Sequence, residues 1–391
     1  MAAAPPPERL AIENATIYPA PGAPALSRGI VVVHNGRIES VGTGLPIPSG
    51  TTVVPGDGRF LVAGFWNAHV HFTQPCWRSA ATAPAARLEE PLRAMLTSRG
   101  FTSVVDTGSD PRSTLAIRRR IDSHELPGPR IWTAGSGLYP PHGLPYYVRD
   151  EIPFWVRWLI PQPRSPAAAV RAVERNFAYG ADLVKLFTGS YVARGTVKHM
   201  PEPIARAAAA AAHRRGRLVF SHPSDLEGTR VALAAGVDVL AHPPDSTDGV
   251  DPSLLRALVE RRTSIVPTLK MFATTVTRSP SYLEPIYRIV REFRALGGEL
   301  LFGTDVGYMS DYSTEEEFRA LASAGVGPSE VLEMLTTAPA RRFGVAAETG
   351  TIARGQAADL VLLDDDPMQD VAAFARVRAT IRGGRVLYLR S

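Results

Sequence analysis

His69 and His71 stand one residue apart at the end of the apolar run GFWNAHVHF. Along a β-strand residues i and i+2 face the same way, so both imidazoles can point at one metal ion from the strand's C-terminal end. Four further candidates close short apolar runs in the same manner. They are Lys185 in DLVKLF, His222 in LVFSH, His242 in VDVLAH and Asp305 in LLFGTD. Neutral imidazoles and carboxylates are ligands for zinc or a similar divalent cation. Such a cation lowers the pKa of bound water from 15.7 to ~7 and acts as a Lewis acid on a carbonyl. A lone H-x-H carries little information, but the whole series indicates a metal-dependent hydrolase. Lys185 is the odd member, because a protonated ammonium repels a metal ion.

These residues need elements to position them. Eight apolar, β-branched runs occur at GFWNAHVHF, FTSVVDTG, RIWTAG, LVKLF, LVFSH, DVLAH, SIVPTL and LLFGTD. Helix-like stretches fill most of the gaps, at Arg87–Arg99, Ser165–Tyr179, Pro201–Arg215, Pro252–Arg262 and Tyr282–Leu296. Strands alternating with helices predict a (β/α)8 TIM-like barrel, an α/β fold whose active sites collect at the strands' C-terminal ends. Every candidate ligand sits at such an end. The termini read differently. Short β-rich runs with turn signals at Asn35-Gly36 and Asp57-Gly58 open the chain, and the last segment resumes that style. The expectation is a composite β-sandwich from residues 1–61 and 345–391 around a barrel of residues 62–344. Two separate β-modules are the alternative.

Residues 138–166, LYPPHGLPYYVRDEIPFWVRWLIPQPRSP with its last residue at Pro166, follow the third predicted strand and are rich in proline and aromatics. They are either a surface loop on the barrel rim or a lid lining the pocket with Tyr146, Tyr147, Phe154 or Trp155. His142, Tyr191, Arg194, Lys270 and Tyr308 also follow predicted strands, and His142 and Tyr191 are the foremost candidates for substrate contact. His124, His199 and His213 read as surface or helix residues.

Composition narrows the class. At 391 residues the chain suits a barrel with a smaller module, and its 45% hydrophobic content is that of a globular protein. The net charge of +5 is spread along the chain, which favours a solvated surface over a nucleic-acid stripe. Cys76 is the one cysteine, so an intrachain disulfide is impossible. No run reaches the ~20 apolar residues of a membrane span. The start MAAAPPPERL lacks the charged and apolar regions of a signal peptide. A cytoplasmic protein is expected, or a periplasmic or secreted one if a leader has been removed. Its partner is a small-molecule substrate rather than nucleic acid or membrane, and self-association is left open.

The set H-x-H, Lys, His, His, Asp on a predicted barrel resembles the amidohydrolase superfamily in its binuclear, carboxylated-lysine form. GRFLVAGFWNAHVH looks like the family's entry into the first barrel strand. SHPSDLEGTRVALAAGVDVLAHPPD is similar to the fifth and sixth strands of imidazolonepropionase-like and Xaa-Pro dipeptidase-like members, and TTAPARRFGVAAETGTIARGQAADLVLLDDDP to their return into the sandwich. The resemblance implies two divalent ions, zinc foremost with manganese or cobalt as alternatives. It implies His69, His71 and Asp305 on one ion, His222 and His242 on the other, and a carbon dioxide-derived carbamate on Lys185 bridging them beside a hydroxide. Asp305 would serve as general base and then general acid. The expected reaction is hydrolysis of an amide C–N bond in a peptide-like or N-acyl amino-acid substrate. The rivals are a lactam, lactone or phosphotriester hydrolase, a heterocycle aminohydrolase, and a non-catalytic metal-binding barrel. Lys185 argues against mononuclear imidazolonepropionases. Asp225, where deaminases of the superfamily place a glutamate, weakens the deaminase reading.

Overall fold

The computed structural model describes residues 9–150 and 152–390. The leader-free start inferred from MAAAPPPERL falls largely on residues 1–8, outside that range. Five strands open the described chain: β1 Arg9–Ile17, β2 Leu26–His34, β3 Arg37–Thr43, β4 Thr52–Pro55 and β5 Phe60–Ala63. Then come β6 Phe65–Val70, β7 Phe101–Asp106, β8 Arg130–Thr133, β9 Val184–Phe187, β10 Gly189–Ala193 and β11 Thr196–His199. The series ends with β12 Val219–His222, β13 Val239–Ala241, β14 Ser264–Val266, β15 Leu360–Leu363, β16 Val377–Arg382 and β17 Arg385–Leu389.

Both termini enter one eight-stranded sheet, because β15 pairs antiparallel with β5, Leu360 opposite Ala63. The sheet forks at β1, whose first half pairs with β4 and whose last residues pair with β5. Leu10, Ile12, Leu61, Ile352, Leu360 and Ile381 make a core of their own inside the fork. The Asn35-Gly36 turn forms as expected, with φ of 48° and 76°, the left-handed values a two-residue hairpin requires.

The middle of the chain is α/β. Strands β6, β7 and β8 form one parallel sheet, and β9, β12, β13 and β14 form another. The intervening helices follow the sequence expectation to within a few residues, at Ala85–Met95, Pro166–Tyr179, Glu202–His213, Pro252–Glu260 and Pro280–Ala295. Asp225, Asp251 and Ser165 cap helix N-termini through side-chain oxygens.

The expected eighth strand, LLFGTD, makes no ladder. It touches its neighbours through isolated bridges, Leu300 with Ile265 and Val306 with Val70. Single hydrogen bonds accompany them, from Ala68 N to Phe302 O at 2.7 Å and from Leu301 N to Ile265 O at 2.9 Å. The cause is local. A Cβ on Gly303 would lie 2.3 Å from Val266 Cγ1 and 2.9 Å from His69 Cβ, so the segment packs backbone-close. Asp305 then takes φ 57°, which no strand accommodates. Ala68, Val105, Leu183, Phe220, Val239 and Val266 fill the space between the two sheets beneath the ligand-bearing ends. No helix among the described residues is long and apolar enough to cross a membrane.

Candidate metal centre

The strand ends deliver the six predicted side chains to one place. On β9 and β12, Lys185 lies opposite Phe220 and Phe187 opposite His222, so Lys185 and His222 share a face two residues apart. The imidazoles form a continuous arc. Ring centroids are 5.1 Å apart for His69 and His71, 4.6 Å for His69 and His242, and 5.0 Å for His222 and His242. Asp305 closes the arc, with Oδ1 3.0 Å from His71 Nε2 and 3.3 Å from His69 Nε2, and Oδ2 3.8 Å from His242 Nε2. Ligand atoms of His69, His242 and Asp305 lie within 4.8 Å of one another, all buried. His242 and Asp305 both hold left-handed backbone, at φ 83° and 57°. For residues with a Cβ such conformations cost of order 1–3 kcal/mol each and persist where the surroundings enforce them.

Hydrogen bonds on the far side of the rings fix where the lone pairs point. His71 Nδ1 is 2.7 Å from the Gly108 carbonyl, which can only accept, so Nδ1 carries the proton and Nε2 the lone pair. Thr268 Oγ1 donates its one proton to the Pro267 carbonyl at 2.8 Å, and it therefore accepts from His242 Nδ1, leaving His242 Nε2 unprotonated. Nε2 of His69 and Nε2 of His71 face each other at 3.2 Å. Electron pairs on nitrogen and on the Asp305 carboxylate thus converge on one point. His69 Nδ1 and Asp305 Oδ1 are buried without a hydrogen bond among the described residues. A divalent cation fits this donor set of imidazole nitrogens and one carboxylate.

The electrostatics agree. Burial pushes His69 down to about 4 and His222 down to about 3, and it holds His242 well below the ordinary imidazole value. All three are neutral at pH 7, the form that ligates. Burial opposes ionisation of Asp305, but His69 and His71 outweigh it and hold the carboxyl well below the usual range. Burial also opposes charge on His71, yet the neighbouring carboxylates of Asp305 and Asp106 outweigh it and raise its pKa. Lys185 is pushed down to about 7 by burial, against the pull of Asp305. Its amine lies 5.5 Å from the Phe187 ring centroid and makes no hydrogen bond among the described residues. Near neutral pH a large share of it is therefore the uncharged, nucleophilic amine.

The residues that hold this group carry no signal in the spacing. Asn67 Oδ1 accepts from the backbone N–H of His69 and of Thr304, each at 3.2 Å, and its Nδ2 donates to Thr304 Oγ1 at 2.7 Å. Only its position two before His69 marks it. Buried Asp106 accepts from Gly108 N, Ser109 Oγ and Thr133 Oγ1, fixing the loop whose carbonyl holds His71. Glu317 accepts from the N–H groups of Leu269 and Lys270 at 3.0 and 2.7 Å, directly after Thr268. Lys270, a candidate substrate contact by sequence, is instead buried, with Nζ 2.7 Å from both the Asp311 carboxylate and the Ser313 carbonyl. It ties the segment after Asp305 to the segment that holds His242.

The mouth is aromatic. His142 is exposed with φ 54° and lies outside the ligand cluster. Tyr191, on the β10–β11 hairpin, donates to Asp245 Oδ1 at 3.0 Å, and Tyr282 donates to Oδ2 at 3.0 Å. Tyr139 stacks on Phe187 at 4.3 Å, and Phe187 stacks on His222 at 5.1 Å. Of the 138–166 segment, Tyr147 packs against Tyr308 at 5.5 Å and its phenol feels the charges of Asp305 and Asp245. Phe154 and Trp155 are instead 66% and 71% exposed.

Replacing Thr268 with valine removes the acceptor for His242 Nδ1 while keeping shape and β-branching. Loss of such an outer partner typically costs 10–100-fold in metal affinity. Chelator competition on Thr268→Val should show weakening of about that size, with the melting temperature of metal-free protein close to wild type. Unchanged affinity would show that Thr268 does not orient His242.

Comparison with known proteins gives the same picture. Ochratoxinase from Aspergillus niger is 23% identical over 425 residues, covering 95% of this chain and 85% of that one. A Xaa-Pro dipeptidase structure with methionine in its active site superposes with a TM-score of 0.83 at 22% identity, covering 98% of this chain and 100% of the other. A putative prolidase from Bifidobacterium longum gives 0.80 at 25% identity, covering 98% and 95%. The sequence profile of the amidohydrolase family matches residues 60–387. This chain belongs to the amidohydrolase family and is a hydrolase of carbon–nitrogen bonds.

Proposed function

We propose that this metal-dependent hydrolase cleaves the amide bond of a small peptide-like or N-acyl amino-acid substrate at a binuclear centre. The observation that carries the proposal is the convergence of His69, His71, His242 and Asp305 lone pairs beside His222 and an amine, Lys185, whose pKa is near 7. In this reading Lys185 is carboxylated, zinc is the foremost metal, and the segment 300–306 completes a (β/α)8 barrel as its eighth member. The names of the Xaa-Pro dipeptidase, the prolidase and ochratoxinase support the substrate class.

Divalent cations at such a centre supply a nucleophile at neutral pH and polarise the scissile carbonyl. The chain's own residues do the rest. His69, His222 and His242, kept neutral by burial, would hold the ions together with His71. A carboxylated Lys185 contributes an anion where an ammonium would repel. Asp305, ionised at pH 7, accepts the nucleophile's proton on a carboxylate oxygen and returns it to the leaving nitrogen. Tyr139, Tyr147, Phe187 and Tyr308 form the aromatic surface over the centre that excludes water from the bound substrate.

Two measurements test the reading. Metal-replete protein assayed against dipeptides, N-acyl amino acids, lactones and aminohydrolase substrates should turn over members of the first two groups best. Ammonia release from a heterocycle with no amide cleavage would contradict it. With the best substrate, Asp305→Asn should lower kcat by ~10²–10⁴-fold, the usual contribution of a positioned acid/base group, with the fold intact. A kcat within a factor of about three of wild type would remove Asp305 from proton transfer.

A further inference from the structure

The opposite end of the strands, where β8 begins and the terminal sheet meets the α/β core, holds a cavity of about 150 Å³. Arg130, Arg382, Arg385 and His124 line it, and Asp359 is the one carboxylate among the lining residues. These three guanidiniums are poorly paired. Arg130 is 3.6 Å from Asp359 and 3.3 Å from Ser103 Oγ. Arg382 is 4.0 Å from Asp122 and 3.1 Å from the Gly128 carbonyl. Among the described residues Arg385 reaches the His124 carbonyl alone, at 3.4 Å. Elsewhere Arg118 meets Asp182 at 2.6 Å and Arg376 meets Asp365 at 2.7 Å. Asp359 is itself engaged by Gly383 N at 2.9 Å and Thr349 Oγ1 at 3.2 Å.

A guanidinium presents five N–H donors in a planar fork, so three of them bring about fifteen. Only three hydrogen bonds from these forks form among the described residues. Arg382 is largely buried, its side chain 20% exposed, and burial followed by the like charge of Arg130 lowers its pKa. Half-buried cations of one sign with unused donors are stabilised by an oxyanion, whose oxygens take several forks at once. The volume suits a group the size of phosphate rather than a nucleotide.

We propose that this cavity binds a small oxyanion, a phosphate or a carboxylate group, between Arg130, Arg382 and Arg385. Arg130 comes from β8, and Arg382 and Arg385 come from the β16–β17 hairpin, so the anion ties the terminal sheet to the α/β core. It lies at the strand starts, away from the metal centre at the strand ends. Its effect is on stability, because a ligand that binds only the folded state shifts unfolding by mass action.

The test is thermal unfolding of the metal-loaded protein in potassium phosphate, acetate or chloride at matched ionic strength. Phosphate should raise the melting temperature saturably by about 2 °C or more over chloride. Acetate producing the same rise would add carboxylates to the ligand class, and no rise with acetate would confine the class to phosphate-like anions. Arg385→Glu should abolish the rise while metal content and turnover stay at wild-type values. Arg382→Lys keeps the charge without the fork and should reduce it. Phosphate that gives no increment over chloride overturns the proposal. So does an increment that survives Arg385→Glu undiminished, since that phosphate would be acting at the metal centre.

Discussion

Four imidazoles, a carboxylate and an amine meet at one end of two parallel sheets, and His69, His242, Asp305 and Lys185 among them are buried. The Asp305 carboxylate and the lone pairs of His69, His71 and His242 approach within 3.0 to 3.8 Å of each other. In a medium of low dielectric such a group of donors is costly unless positive charge sits among them. Hydrogen bonds behind two of the rings prevent the simplest escape, which is for a ring to flip or change tautomer. The Gly108 carbonyl holds His71 and the Thr268 hydroxyl holds His242, while Asn67 fixes the backbone N–H of His69.

The backbone carries part of that cost. His242, Thr268 and Asp305 all take left-handed φ without being glycine. Gly307 follows Asp305 so closely against the His71 carbonyl that a Cβ there would lie 1.8 Å from it. Glu317 and Lys270, both buried, lock the two strained segments to each other through backbone N–H groups and carbonyls. Strain held by a surrounding network is the expected signature of a site built for ligation rather than for stability.

What was legible in the sequence follows from what types and periods encode. An H-x-H at the end of an apolar run states both residue chemistry and direction, because strand alternation has period two. Lys185, His222, His242 and Asp305 were visible for the same reason, each ending an apolar run. The segment LLFGTD was read as a strand because its composition is that of one. The close approach at Gly303 depends on Val266 and His69, distant in sequence, and no local pattern reports it. Asn67, Asp106, Thr268 and Glu317 were invisible because such types occur everywhere as caps and turns. Lys270 follows a strand as a rim residue would, while the partners that bury it, Asp311 and Ser313, lie some forty residues on. The terminal strands declared themselves through turn dipeptides, but the fork at β1 depends on pairings between opposite ends of the chain.

We propose that these six side chains hold two divalent ions, with Lys185 carboxylated between them. The most direct test is elemental analysis of protein reconstituted with excess zinc and bicarbonate and then freed of loosely bound metal. Close to two ions per chain are expected, falling toward one in His222→Ala. At most one ion per wild-type chain under those conditions would contradict the binuclear centre.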